Sequence, residues 1–175
     1  ADVDRLFGYG YQLTPKKALS QPGQFACEEC LDVIGPKGEL KRVRILGPER
    51  SATQIELAQT DCRTIGVNAP VRSSGDTKGT PGVTLRGPLG ELTVPEGVIV
   101  ADRHLHMTPA QAAAFGLADG DRVQIRIDGI KPGIMGGVLV RANSKCALDF
   151  HIDTDDGNAF LLRQGQLVTV LGKEE

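Results

Sequence analysis

Short runs that alternate polar and apolar residues, separated by glycine-bounded turns, govern what this chain can fold into. The clearest is residues 39–46, Glu-Leu-Lys-Arg-Val-Arg-Ile-Leu, which follow the turn Gly35-Pro36-Lys37-Gly38 and a short strand at 31–34. A period of two sends alternate side chains to opposite faces of a sheet, so this stretch reads as a hairpin with one buried face. The layout recurs where residues 83–86 and 91–94 flank Gly87-Pro88-Leu89-Gly90. Residues 122–127, 137–141 and 146–152 alternate as well, and 97–101 read as a buried strand. With 22 glycines and 10 prolines in 175 residues, tight turns and short strands are expected throughout. Helices are few. Residues 108–116 start on an N-cap threonine and a proline and close on glycine, 60–66 are a shorter version, and 1–8 are a third. These three segments form a weak repeat of roughly 50–60 residues, which suggests related barrels. The fold expected is all-β in the main: two small β-barrels capped by short helices.

Composition removes several function classes. Twenty basic and 22 acidic residues leave a net charge of −2, so no global basic excess argues for nucleic acid. Aromatic residues are 4% of the chain, too few for a base-stacking platform. No apolar run approaches the roughly 18 residues that span a membrane. With no secretory signal at the start, a cytoplasmic setting is expected, and Cys27, Cys30, Cys62 and Cys146 read as reduced thiols. Cys27-x-x-Cys30 has neither the second pair of a zinc ribbon nor the βαβ context of a redox motif.

The residues able to carry chemistry are few. Two of the three histidines stand in Asp102-Arg103-His104-Leu105-His106-Met107. On a strand, positions i and i+2 face the same way, so the two imidazoles are either a metal-chelating pair or two surface histidines at a strand end. His151 ends another alternating strand. Should it converge on the pair, three imidazoles would leave positions on a metal open to water or substrate. Arg50 lies on a turn after a strand, where a guanidinium can fork an anion, and Gln54 and Glu56 have the spacing to share one face. The plainer reading there is a solvated turn and an edge strand. The glycine-rich stretch 72–82 can cradle a phosphate through backbone amides but lacks a P-loop signature. Arg141, at the end of a strand, is another anion contact or a surface charge. No Gly-x-Ser-x-Gly elbow and no dinucleotide fingerprint is present.

Taken in order, Gln21-Pro22-Gly23-Gln24-Phe25-Ala26, Gly35-Pro36-Lys37-Gly38, Arg44-Ile45-Leu46-Gly47-Pro48, Gln54-Ile55-Glu56, Gly79-Thr80-Pro81-Gly82, Gly97-Val98-Ile99-Val100-Ala101, Arg103-His104-Leu105-His106-Met107, and His151-Ile152-Asp153-Thr154-Asp155 with Asn158 resemble the PduL-type phosphotransacylases. These are the phosphate propanoyltransferases of bacterial microcompartments, and the resemblance covers essentially the whole chain. It implies exchange of acyl-CoA and inorganic phosphate for acyl phosphate and free coenzyme A. It also implies two β-barrels, most of 1–101 and 102–175, with a two-stranded lid over about 8–28 and a two-metal site, usually zinc, between the barrels. His104, His106 and His151 would hold one metal, and Glu56 would help hold the other. Arg50 matches the family's phosphate-binding arginine. Gln21, Gln24, Gln54, Ser74 and Arg141 match polar active-site positions, and Lys17, Arg44, Leu46 and Asn158 match positions near bound coenzyme A.

The family also carries an earlier Arg-His-x-His segment ahead of a helix like residues 1–8. No such segment stands in this sequence, so the resemblance implies too few ligands for the Glu56 metal and a strand missing from the second barrel. Self-association, a place in the microcompartment lumen, and contacts with shell or cargo proteins through an N-terminal extension are further implications. Two other readings of the same residues stay open: a metal-dependent thioester hydrolase, and a non-catalytic zinc-stabilised barrel.

Overall fold

Both Gly-Pro-x-Gly stretches fold as hairpin ends, and each is docked on the last turn of a helix. A computed structural model, which describes residues 1–174, divides the chain into two units: residues 1–19 with 23–101, and residues 20–22 with the segment from Asp102 onward. In the first unit the elements run α1 (Asp2–Phe7), β1 (Pro15–Ala18), β2 (Phe25–Ile34), β3 (Glu39–Gly47), β4 (Ile55–Glu56), α2 (Gln59–Ile65), β5 (Val71–Arg72), β6 (Val83–Arg86), β7 (Glu91–Val94) and β8 (Val98–Ala101). Strands β1, β2, β6 and β7 form an antiparallel sheet, with β3 also paired to β2. A smaller parallel sheet places β8 between β4 and β5.

The turn between β2 and β3 closes with a Gly35 N–H to Gly38 carbonyl bond, and the turn between β6 and β7 with the same bond from Gly87 to Gly90, each 2.9 Å. Lys37 N–H then donates to the Ile65 carbonyl at the end of α2, and Leu89 N–H to the Leu6 carbonyl near the end of α1. Each turn therefore satisfies a helix carbonyl that has no partner within its own helix. The approach is so close that a Cβ on Gly35 would lie 2.4 Å from the Ile65 oxygen, and one on Gly87 would lie 2.5 Å from the Leu6 oxygen. Glycine is required there by space. Leu6, Ile65, Val33, Leu85, Leu92 and Val98 belong to the core that results.

The second unit runs β9 (His104–Met107), α3 (Pro109–Ala114), β10 (Arg122–Ile127), β11 (Gly133–Ala142), β12 (Asp149–His151), α4 (Thr154–Phe160) and β13 (Thr169–Lys173). Its sheet has the order β12-β9-β11-β10-β13, with only the β9–β11 pair parallel. Leu105, Met107, Ile125, Ile127, Val138 and Val140 belong to its own core. Helix α3 starts as read: the Thr108 hydroxyl accepts from Gln111 N–H, and the Gln111 side chain accepts from Thr108 N–H.

The fold is mainly β with a few short helices, as the alternation requires. Boundaries differ where polar or glycine-rich residues hide the period. Strand β2 starts at Phe25 rather than at 31, because Glu28 and Glu29 interrupt the apolar pattern. Glu29 is buried, and its carboxylate accepts from Tyr11 Oη at 2.9 Å and from Thr14 N–H at 3.1 Å. Those bonds offset its desolvation. Strand β11 reaches back to Gly133 through a Gly-Ile-Met-Gly-Gly run. Helix α4 has low-propensity residues and no apolar stripe. It is held by an Asp153 cap on Asp156 N–H and by the Arg103–Asp156 ion pair, 2.9 Å. Among the described residues, no helix is long and apolar enough to cross a membrane.

Candidate functional site

Strand register brings the three histidines of the second unit together. His104 and His106 share the half-exposed face of β9, while Leu105 and Met107 point into the core. In the antiparallel β9–β12 pair, His151 lies opposite His104 and Asp149 opposite His106. In the parallel β9–β11 pair, Leu139 lies beside His104 and Arg141 beside His106. Two cross-strand rows result, Leu139–His104–His151 and Arg141–His106–Asp149, on one face.

One nitrogen from each imidazole lies within 4.8 Å of the others. His104 Nε2 and His106 Nε2 are 3.1 Å apart, close to the roughly 3.3 Å that two nitrogens would have on a tetrahedral ion with 2.0–2.1 Å bonds. Further contacts hold the rings. His104 Nδ1 is 2.7 Å from the Asp102 carbonyl, His106 Nδ1 is 3.4 Å from Cys146 Sγ, and His151 Nε2 is 2.9 Å from Asp149 Oδ2. Burial, followed by the charges of His104, His151 and Arg141, holds His106 down to about 4 against an opposing pull from Asp149, so this ring is neutral at neutral pH. A neutral imidazole is the form that binds a metal. The three residues are thus positioned to bind a metal ion.

Ser20 Oγ also reaches His151 Nε2, at 3.0 Å. Ser20 and Asp149 meet the same nitrogen, which cannot donate to the carboxylate and accept from the hydroxyl at once. The trio is therefore not a serine–histidine–aspartate relay, in which the two partners use opposite nitrogens. Gln21 is buried, and its amide is spent on Ala147: Nε2 donates to the carbonyl at 3.0 Å and Oε1 accepts from the N–H at 3.2 Å.

In the first unit, Arg50, Gln54, Glu56 and Ser74 form one connected cluster. Ser74 Oγ accepts from Arg50 Nη1 and from Gln54 Nε2, each at 2.9 Å. Gln54 Nε2 also donates to Glu56 Oε1, and Gln54 Oε1 accepts from Gly75 N–H at 2.6 Å. Among the described residues, one Arg50 nitrogen is engaged this way, and the guanidinium is exposed. The rest of the fork is free to meet an anion.

Three of the residues matched to coenzyme A positions share a sheet face. Lys17 and Leu46 flank Ala26 in one cross-strand row of β1, β2 and β3, and Arg44 lies two residues before Leu46. All three are exposed, and Arg44 Nη1 donates to the Cys27 and Glu28 carbonyls at 2.8 Å each. Asn158 is exposed on α4 of the second unit, and half-buried Gln24 closes the β1–β2 hairpin by accepting from Leu19 N–H. Asp149, Cys146 and Ser20 were not read from the sequence. Asp149 was legible, since Asp-x-His on a strand shares a face. The alternation read over 146–152 yields a strand only at Asp149–His151, so Cys146 lies ahead of β12 rather than in it, and Ser20 lies outside strands as well. Among the described residues, the four cysteines form no disulfide.

The profile of the phosphate propanoyltransferase family matches residues 1–163. The chain belongs to this family. It is 47% identical to the phosphate propanoyltransferase of Thermotoga maritima over 171 residues, covering 97% of this chain and 81% of that protein. It is 50% identical to the one from Enterococcus faecalis over 164 residues, covering 94% and 78%, and 49% identical to the one from Salmonella typhimurium over 159 residues, covering 90% and 75%. The family is one of acyltransferases, so the histidine cluster and the arginine cluster described above belong to an enzyme.

Proposed function

We propose that this protein transfers an acyl group between coenzyme A and inorganic phosphate, with propanoyl-CoA or acetyl-CoA as the thioester. The convergence of His104, His106 and His151 carries the reading, because it gives an enzyme of this family a metal-binding group with an open position. Zinc suits the donors, being at ease with nitrogen, oxygen and sulfur. When bound, it would supply a Lewis acid for the thioester carbonyl and a soft acceptor for the departing thiolate. Glu56 would help hold a second ion.

Arg50 grips phosphate through the part of its fork that Ser74 leaves free and holds it in the attack position. Gln54 and Ser74 fix the guanidinium. A phosphate oxygen attacks the carbonyl carbon, a carbon–oxygen bond forms, the carbon–sulfur bond breaks, and coenzyme A leaves as thiolate. No acyl-enzyme forms, so trapping an acylated cysteine on the reaction path would contradict this order. Arg141, beside His106, adds positive charge at the histidine cluster. Lys17, Arg44, Leu46 and Asn158 face coenzyme A, and the exposed β1–β2 hairpin acts as the lid. Gln24 and Gln21 complete the polar surroundings, Gln21 through its hold on Ala147.

The test is release of free thiol from acyl-CoA with and without phosphate, together with direct detection of acyl phosphate. Strict phosphate dependence is expected; turnover without phosphate would instead mark a hydrolase. Arg50→Ala should raise the phosphate requirement roughly 10- to 100-fold, since a charge-assisted bond is worth about 1.5–3 kcal/mol. Arg50→Lys should fail to restore it, because a point charge does not reproduce the fork.

A further inference from the structure

We propose that Cys146 is the positioning residue of His106, the partner that lets this ring change tautomer as a metal enters without losing its outer contact. The inference rests on the metal reading above and concerns a residue that reading does not use. For neutral rings the contacts form a chain with one polarity. The Asp102 carbonyl only accepts, so a neutral His104 ring carries its proton on Nδ1 and a lone pair on Nε2. That lone pair faces His106 Nε2 at 3.1 Å, so in the metal-free protein the neutral His106 ring carries its proton on Nε2. His106 Nδ1 is then a bare acceptor, 3.4 Å from Cys146 Sγ, and the thiol donates. A metal on His106 Nε2 requires the other tautomer. The ring proton moves through solvent from Nε2 to Nδ1, Nδ1–H donates to the same sulfur, and the ring's proton count is unchanged. A thiol both donates and accepts, so it serves both tautomers. A carbonyl serves only one, and a methyl group serves neither.

The sulfur is held in place from two sides. Asn143 N–H donates to the Met107 carbonyl on the strand that carries His106, and Cys146 N–H donates to the Asn143 carbonyl, each 3.0 Å. On the other side, Ala147 is clasped through its N–H and its carbonyl by Gln21, whose side chain is 4% exposed. A buried amide spending both ends on the residue next to Cys146 fixes the sulfur before any metal arrives. The same clasp gives Gln21 a part in building the centre without touching substrate.

Cobalt(II) affinity, measured by competition with a chelator on the full chain, tests this together with ring-nitrogen NMR of His106 in wild-type protein. Cys146→Ala is expected to weaken cobalt about 10- to 100-fold, the usual effect of losing an outer partner of a ligand. Cys146→Ser, whose hydroxyl also donates and accepts, should stay within about threefold of wild type. The wild-type ring should carry its proton on Nε2 without metal and on Nδ1 with zinc, a result that needs no variant to fold. Equal affinity in Cys146→Ala, an unchanged tautomer, or a sulfur-to-cobalt charge-transfer band showing direct ligation would each overturn the proposal. Wild-type protein that binds no cobalt would overturn the metal reading itself, and this inference with it.

Discussion

At His106, the neutrality that metal binding requires makes the metal-free fold sensitive to acid. Its folded value of about 4 lies below the ordinary 6.5, so the unfolded chain takes up a proton first as pH falls. The stability of metal-free protein should therefore decline as pH drops from about 6.5 to about 4. Thermal midpoints across that window check this, and His106→Gln should flatten part of the slope; an equal slope in the variant would refute the assignment. Asp149 acts on the neighbouring ring. Its carboxylate meets His151 Nε2, so Asp149→Asn should weaken cobalt roughly 10-fold, measured by the same chelator competition. At this scale the His-x-His pair was legible, because the i, i+2 rule needs only a strand. The arrival of His151 was not, because it depends on which residue of β12 falls opposite His104.

Elements follow local rules that are readable until tertiary contacts replace them. Strands β6, β7 and β10 lie where their alternation puts them, since each has a clean period and a glycine turn or cap beside it. Helix α4 carries no helical signal in the sequence because its stability comes from Asp153 and Arg103 rather than from helix-forming residues. The turn glycines show the same division. Gly35-Pro36-Lys37-Gly38 reads as a turn from sequence, but only the packed structure reveals that Gly35 faces the Ile65 carbonyl. Gly35→Ala should cost about 1–3 kcal/mol, because a backbone oxygen cannot move aside as a flexible side chain would. Denaturant unfolding measures it, and a loss below about 0.5 kcal/mol, ordinary for a surface change, would show that the turn relaxes freely.

Across the whole molecule, two hydrophobic cores with no residue in common support the two units. Ile65 and Ile125 are each fully buried, one in each core. Ile65→Ala and Ile125→Ala should each cost about 2–5 kcal/mol, and the double variant should cost their sum, since residues without shared partners add. A double-variant cost far from the sum, read from denaturant unfolding, would show that the cores are coupled. Alternation, turn glycines and the order of motifs along the chain determined the β class and the family, because both are written in local spacing. The same spacing put His104 and His106 on one face and Gln54 and Glu56 on another. Only the tertiary structure decided that His151 and Asp149 complete the histidine face, that Ser74 joins Arg50 to Gln54, and that Cys146 stands behind His106. These are contacts between residues far apart in the chain. Strand register and loop path set them, and neither leaves a period in the sequence.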